Sequence, residues 1–83
     1  MDYKVPEIDQ EMIRRVIREA IDERGMVDKV VAERAGMTSQ SLSQFLCGYR
    51  KLTATEFIAL GRVLDVTPED VLKESQRQQQ DEH

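Results

Sequence analysis

Four uncharged hydrogen-bonding side chains, Ser39, Gln40, Ser43 and Gln44, stand at three- and four-residue spacing in the stretch DKVVAERAGMTSQSLSQFLCG, residues 28–48. On a helix that spacing places them on one surface. Gln40 and Gln44 lie one turn apart, and Ser39 and Ser43 share the neighbouring surface. An amide side chain donates and accepts at once, so it can pair in two-point fashion with the N6 and N7 of an adenine edge. A serine hydroxyl can reach either a base or a phosphate. The same surface also suits an ordinary solvated helix face. The residues that follow, Tyr49, Arg50 and Lys51, put a phenol and two cations beside it.

No other grouping supports chemistry. The sole histidine, His83, is the last residue, and the sole cysteine, Cys47, permits neither an internal disulfide nor a metal framework. Cys47 follows the apolar pair Phe45–Leu46, and a partly buried, inert thiol is expected there. Adjacent carboxylates such as Asp22 and Glu23 fall on exposed helical faces. No nucleophile–base pairing, metal-ligand spacing or glycine-rich phosphate loop can be assembled. An enzyme, a metal, a cofactor and a small-molecule ligand are therefore not expected.

These residues need elements to position them. Val31, Ala32 and Ala35 form the apolar face of one short helix, which begins near Asp28. Gly36 follows at once, suited to a helix end that needs positive φ. Met37 points back to the core, and Thr38 caps a second helix, Ser39 to Cys47, whose Leu42, Phe45 and Leu46 bury one face. Upstream, Asp9 caps a helix in which Met12, Ile13, Val16, Ile17, Ala20 and Ile21 follow the 3.6-residue period, with Gly25 at its end. Its other face carries Arg14, Arg15, Arg18, Glu19, Asp22 and Glu23. That face reads as solvated, and Arg15–Glu19 and Arg18–Asp22 can pair there at i, i+4.

Downstream, Thr53-Ala-Thr-Glu56 has the capping-box form and opens a fourth helix running to Leu64. Phe57, Leu60, Gly61 and Leu64 face inward there. Gly61 allows another helix to approach, and Ile58 lies to one side. Asp65-Val66 makes a turn, and Thr67-Pro68 opens a fifth helix with Val71 and Leu72 as its apolar contacts. Residues 1–8, with Pro6, read as an extended arm. Residues 75–83, SQRQQQDEH, contain nothing apolar and read as a flexible polar tail or fraying helix end.

The motif resembles the helix-turn-helix of the lambda-repressor/Cro (XRE) family of DNA-binding proteins. Ala32, Gly36 and the set Val31, Ala35, Met37, Leu42 and Phe45 carry the likeness, and Ser43, Gly48 and Arg50 match the family's "S…G.R" run. Leu60, Gly61, Val63, Leu64, Val66, Thr67 and Leu72 match its fourth and fifth helices, so the likeness covers about residues 10–74. It implies an all-α, compact five-helix DNA-binding domain over residues 9–74, with recognition helix 39–47 in the major groove of double-stranded DNA. Carried over by position, it implies base contacts from Ser39, Gln40 and Gln44, with Ser43 on the same surface, and backbone contacts from Lys29, Thr38, Tyr49, Arg50 and Lys51. Asp28 stands where family members often have a glutamine that helps hold a phosphate. Its carboxylate repels a phosphate, which leaves Lys29 to supply that contact.

Eighty-three residues allow one domain. With two Phe, two Tyr and no Trp, its core must be aliphatic. No apolar run reaches the roughly 18 residues of a membrane span, and the polar start MDYKVPEIDQ is unlike a secretion signal. The cytoplasm is the expected compartment. Net charge is −4, unfavourable for binding nucleic acid overall, but it is unevenly placed. Residues 1–28 carry eight acids and five bases, residues 29–51 one acid and four bases, and residues 52–83 seven acids and three bases. The one positive block holds the motif, so acidic flanks restrain non-specific binding while leaving local phosphate contacts possible.

Two functions compete at this point. One is a sequence-specific transcriptional regulator, most simply a small phage or bacterial repressor, binding its operator as a homodimer through Ile58, Val71, Leu72 and the arm. The other is a protein-interaction module or antitoxin on the same fold, for which the acidic balance and Asp28 speak.

Overall fold

The computed structural model describes residues 9–80, with side chains to residue 74. The expected arm, 1–8, and the end of the tail, 81–83, lie outside the described residues. Five helices follow in order: α1 (Gln10–Arg24), α2 (Asp28–Arg34), α3 (Ser39–Leu46), α4 (Ala54–Leu64) and α5 (Pro68–Gln80). No strand occurs among the described residues, so the fold is all-α, as the resemblance implies.

Every helix start but that of α2, where Val27 offers no side-chain cap, is set by a side chain that satisfies an otherwise unpaired N–H. Asp9 accepts from Met12, Thr38 from Ser41 and Thr53 from Glu56. The α4 capping box is complete, with the Glu56 carboxylate accepting in turn from the Thr53 N–H at 3.0 Å. At α5 the pair is Thr67 and Asp70. The Thr67 N–H donates to the Asp70 carboxylate at 2.8 Å, and the Asp70 N–H donates to the Thr67 hydroxyl at 3.4 Å. Past residue 74, α5 continues to Gln80. No Pro or Gly interrupts that stretch, and Arg and Gln are good helix formers.

The ends of α2 and α3 use one device. After α2 the Gly36 N–H donates to the Glu33 carbonyl and the Met37 N–H to the Ala32 carbonyl. That crossed pair requires left-handed backbone between them, and Gly36 supplies it at φ 76°. After α3 the same pair runs from Gly48 to Phe45 and from Tyr49 to Gln44, with Gly48 at φ 88°.

The core draws on every helix: Ile13, Ile17, Ala20 and Ile21 from α1, Val31 and Ala32 from α2, and Leu42, Phe45 and Leu46 from α3. Leu60 and Leu64 come from α4 and Val71 from α5. Leu52, in the α3–α4 connection, joins them. The helix α1 packs on α3, α4 and α5, and α2 packs on α3 and α4. Thus α3 is held between α1 and α2, with only its outer surface open.

Several local expectations need correction. Arg15 pairs with Glu11 at 3.5 Å rather than with Glu19, and Arg18 and Asp22 form no ion pair. Cys47 is exposed, because the helix ends one residue early and the thiol falls past the buried face. Val71 is fully buried, which removes it from any self-interface; Leu72 is half-buried and Ile58 is exposed. Gly61 does permit a close approach, but of its own chain: an added Cβ would meet the Val66 carbonyl oxygen at 2.5 Å. The Val66 N–H donates to the Gly61 carbonyl at 2.9 Å, so the α4–α5 turn folds back directly over this glycine. Because backbone cannot yield as a flexible side chain does, Gly61→Ala is expected to destabilise the fold by roughly 1–3 kcal/mol in chemical denaturation.

Candidate nucleic-acid interface

The α3 helix divides cleanly between inside and outside. Leu42 and Phe45 have no exposed surface and Leu46 is 8 % exposed, whereas Ser39, Gln40, Ser43 and Gln44 all face outward. Neither terminal turn of α3 carries a charge: no acid opens it and no base closes it. The presented surface is therefore one of amides and hydroxyls, chemically able to donate to and accept from base edges. Ser41, between them, is half-buried. Its N–H donates to the Thr38 hydroxyl at 3.0 Å, and that hydroxyl donates to the Ser41 Oγ at 2.9 Å. Thr38 is exposed, but its hydroxyl proton is already placed.

The segment after α3 alternates like an extended strand. Tyr49 is exposed, Arg50 is half-buried, Lys51 is exposed and Leu52 is buried. Where a helix ends as α3 does, the residue at the Tyr49 position frequently packs back on the helix. Here its ring is 85 % exposed, leaving a phenol beside Lys51 and the α3 surface. Lys29, the second residue of α2, is exposed as well.

Three side chains hold this surface in place, and for two of them, Arg14 and Gln10, the sequence signalled no such role. Arg14, expected on a solvated face, is half-buried instead. Its Nε donates to the Phe45 carbonyl at 2.9 Å, and its guanidinium lies 5.7 Å from the Phe45 ring centroid. A cation at the C-terminal end of a helix meets the negative end of its dipole, so Arg14 anchors the last turn of α3 to α1. Gln10 grips the chain further on: its Nε2 donates to the Leu52 carbonyl at 3.2 Å, and its Oε1 accepts from the Leu52 N–H at 2.7 Å. Glu56 makes the third hold, on Arg50, whose Nη2 reaches both carboxylate oxygens at 3.1 Å. Of the two adjacent cations expected to meet phosphates, Lys51 is therefore open and Arg50 is engaged.

The Glu56 carboxyl is held below its usual range, first by the Thr53 backbone N–H and then, against the cost of partial burial, by Arg50. Nothing among the described residues offers a metal site: no three His, Cys, Asp or Glu side chains are arranged to hold an ion. Nor is any described helix long and apolar enough to cross a membrane.

A family model described as helix-turn-helix matches residues 17–71, from the middle of α1 into the first turn of α5. No curated protein and no solved structure matches the chain. Gln10 and Arg14 lie ahead of the matched span.

Two outcomes test how this surface is held. Gln10→Ala leaves the N–H and carbonyl of buried Leu52 without partners and is expected to cost about 1–3 kcal/mol in urea denaturation. The lowered Glu56 pKa makes a contribution to stability that is complete above the ordinary carboxyl value of 4.5 and is lost as pH falls through the lower folded value. The denaturation midpoints of wild type and Glu56→Gln should accordingly differ at neutral pH and converge in acid.

Proposed function

The chain belongs to the lambda-repressor/Cro (XRE) helix-turn-helix family of DNA-binding regulators, and from that premise we propose that it is a sequence-specific transcriptional repressor acting in the cytoplasm. It lays α3 in the major groove of an operator. The observation that carries this reading is the division of α3 itself. Three apolar residues are buried, Ser41 is half-buried within the cap, and the other four, Ser39, Gln40, Ser43 and Gln44, are exposed, uncharged and capable of hydrogen bonding.

In this reading Gln40 and Gln44 read adenine edges, and Ser39 and Ser43 contact a base or the adjoining backbone. No Arg or Lys lies on α3, so the two-point guanine contact that Arg and Lys commonly make does not come from this helix. Lys29, Tyr49 and Lys51 supply phosphate contacts, which fix orientation rather than sequence. Thr38 meets a phosphate only by withdrawing its hydroxyl proton from Ser41, because a phosphate oxygen accepts and does not donate. The positive balance of residues 29–51 favours the duplex locally, while the acidic flanks keep non-specific affinity low.

A repressor of this size blocks a promoter by occupying it, and two copies reading half-sites about 34 Å apart gain affinity and specificity together. Ile58 is the best-placed self-contact. It is 58 % exposed on α4, between Thr55 and Arg62, and no described residue covers it.

Selection of bound sites from random duplex DNA, read by sequencing, tests the function. A recovered motif with two related half-sites supports a dimeric operator-binding regulator. No enrichment, with no binding even at low salt, points to the protein-interaction alternative. On the selected duplex, Gln40→Ala should cost about 1–3 kcal/mol and relax preference at one base pair. Lys51→Ala should weaken all sequences alike and reduce the salt slope by about 0.9.

A further inference from the structure

We infer that Arg50 is a positioning residue: it fixes the α3–α4 connection so that Tyr49 and Lys51 project, and it does not itself hold a phosphate. The inference rests on the DNA-binding reading above and goes further, by separating two adjacent cations into different roles.

The geometry of the guanidinium carries it. One nitrogen, Nη2, reaches both oxygens of Glu56 at 3.1 Å, and the side chains are 27 % and 24 % exposed. The other, Nη1, has no accessible surface and no hydrogen-bond partner. The fork is therefore turned into the protein. Reaching a phosphate requires Arg50 to leave Glu56 and strip a half-buried carboxylate of its counter-charge. Glu56 is in turn fixed, because the same Oε1 that meets Arg50 accepts the Thr53 N–H that opens α4. Arg50 is thus tied to the start of α4, while Arg14 and Gln10 tie the two ends of the segment to α1. The alternation along the chain agrees: Tyr49 and Lys51 point out, Arg50 and Leu52 point in.

Two readings of Arg50 predict opposite signs for one substitution. Glu56→Gln removes the negative charge that holds the guanidinium and loosens Arg50. If Arg50 positions the segment, affinity for the selected duplex falls several-fold and the salt slope does not steepen. If Arg50 is a phosphate contact restrained by Glu56, binding tightens and the slope steepens by about 0.9, which overturns the inference. A second measurement needs no DNA. Amide hydrogen exchange at Tyr49–Thr53 should quicken about tenfold in folded Arg50→Ala and equally in Arg50→Lys, which keeps the charge but loses the fork. Lys51→Ala should leave exchange unchanged. Unaltered exchange in the folded Arg50 variants overturns the inference. Failure of the wild type to bind any duplex counts against the DNA-binding reading alone, because the exchange comparison stands without it.

Discussion

The structure depends on holding an eight-residue helix that cannot hold itself. A helix of that length is marginal in water, because nucleation fixes several residues before the hydrogen-bond ladder offsets the entropy. What stabilises α3 is burial of Leu42, Phe45 and Leu46 against α1 and α2, where each large side chain contributes roughly 1.5–3 kcal/mol. Phe45 concentrates the constraint. Its ring is fully buried beneath Arg14, and its carbonyl accepts both from Arg14 and from the Gly48 N–H that turns the chain. With the inner face committed, the outer face is left to polar residues. That division leaves a continuous polar surface, the one the proposed function sets against base edges.

The surroundings of α3 extend the same logic. Two helix ends with glycine in left-handed backbone bracket it, at Gly36 and Gly48, so both its entry and its exit are sharp. Beyond the exit the chain does not wander. Gln10, Arg14 and Glu56 grip successive points from Phe45 to Thr53, using backbone groups that solvent would otherwise compete for. Polar groups in this small protein thus serve in two ways. Those turned inward, Gln10, Arg14, Arg50 and Glu56, bond to other parts of the chain and fix geometry; those turned outward on α3 and at Tyr49 and Lys51 are free to meet a ligand. Fixing the surface beforehand lowers the ordering cost of binding.

Much of this was readable in advance, for physical reasons that differ by position. The helices were evident because apolar residues recur at helical period and because four of the five starts carry a local signal: Asp9, Thr38, Thr53 with Glu56, and Thr67 before Pro68. Capping is decided within four residues, so sequence suffices. Exposure of Ser39, Gln40, Ser43 and Gln44 followed from the same periodicity. The roles of Gln10, Arg14 and Arg50 did not. Gln10 meets Leu52 across 42 residues, and Arg14 meets Phe45 across 31. Such pairings are fixed only when α1 docks. Arg14 sits at the edge of the apolar stripe of α1, next to Ile13, and nothing local distinguishes it from Arg15. Cys47 and Gly61 show the limit at finer scale, where one residue of helix length or one backbone carbonyl decides the environment.

The central claim is that the outward face of α3, with the loop beside it, is where duplex DNA sits. Amide chemical-shift mapping of the whole chain against a duplex carrying the selected motif tests it most directly. The account predicts shifts concentrated on Ser39, Gln40, Ser43, Gln44, Tyr49 and Lys51, with the α1 residues Glu19 and Glu23 unmoved. Shifts centred on α4 and α5 that leave α3 untouched would contradict it.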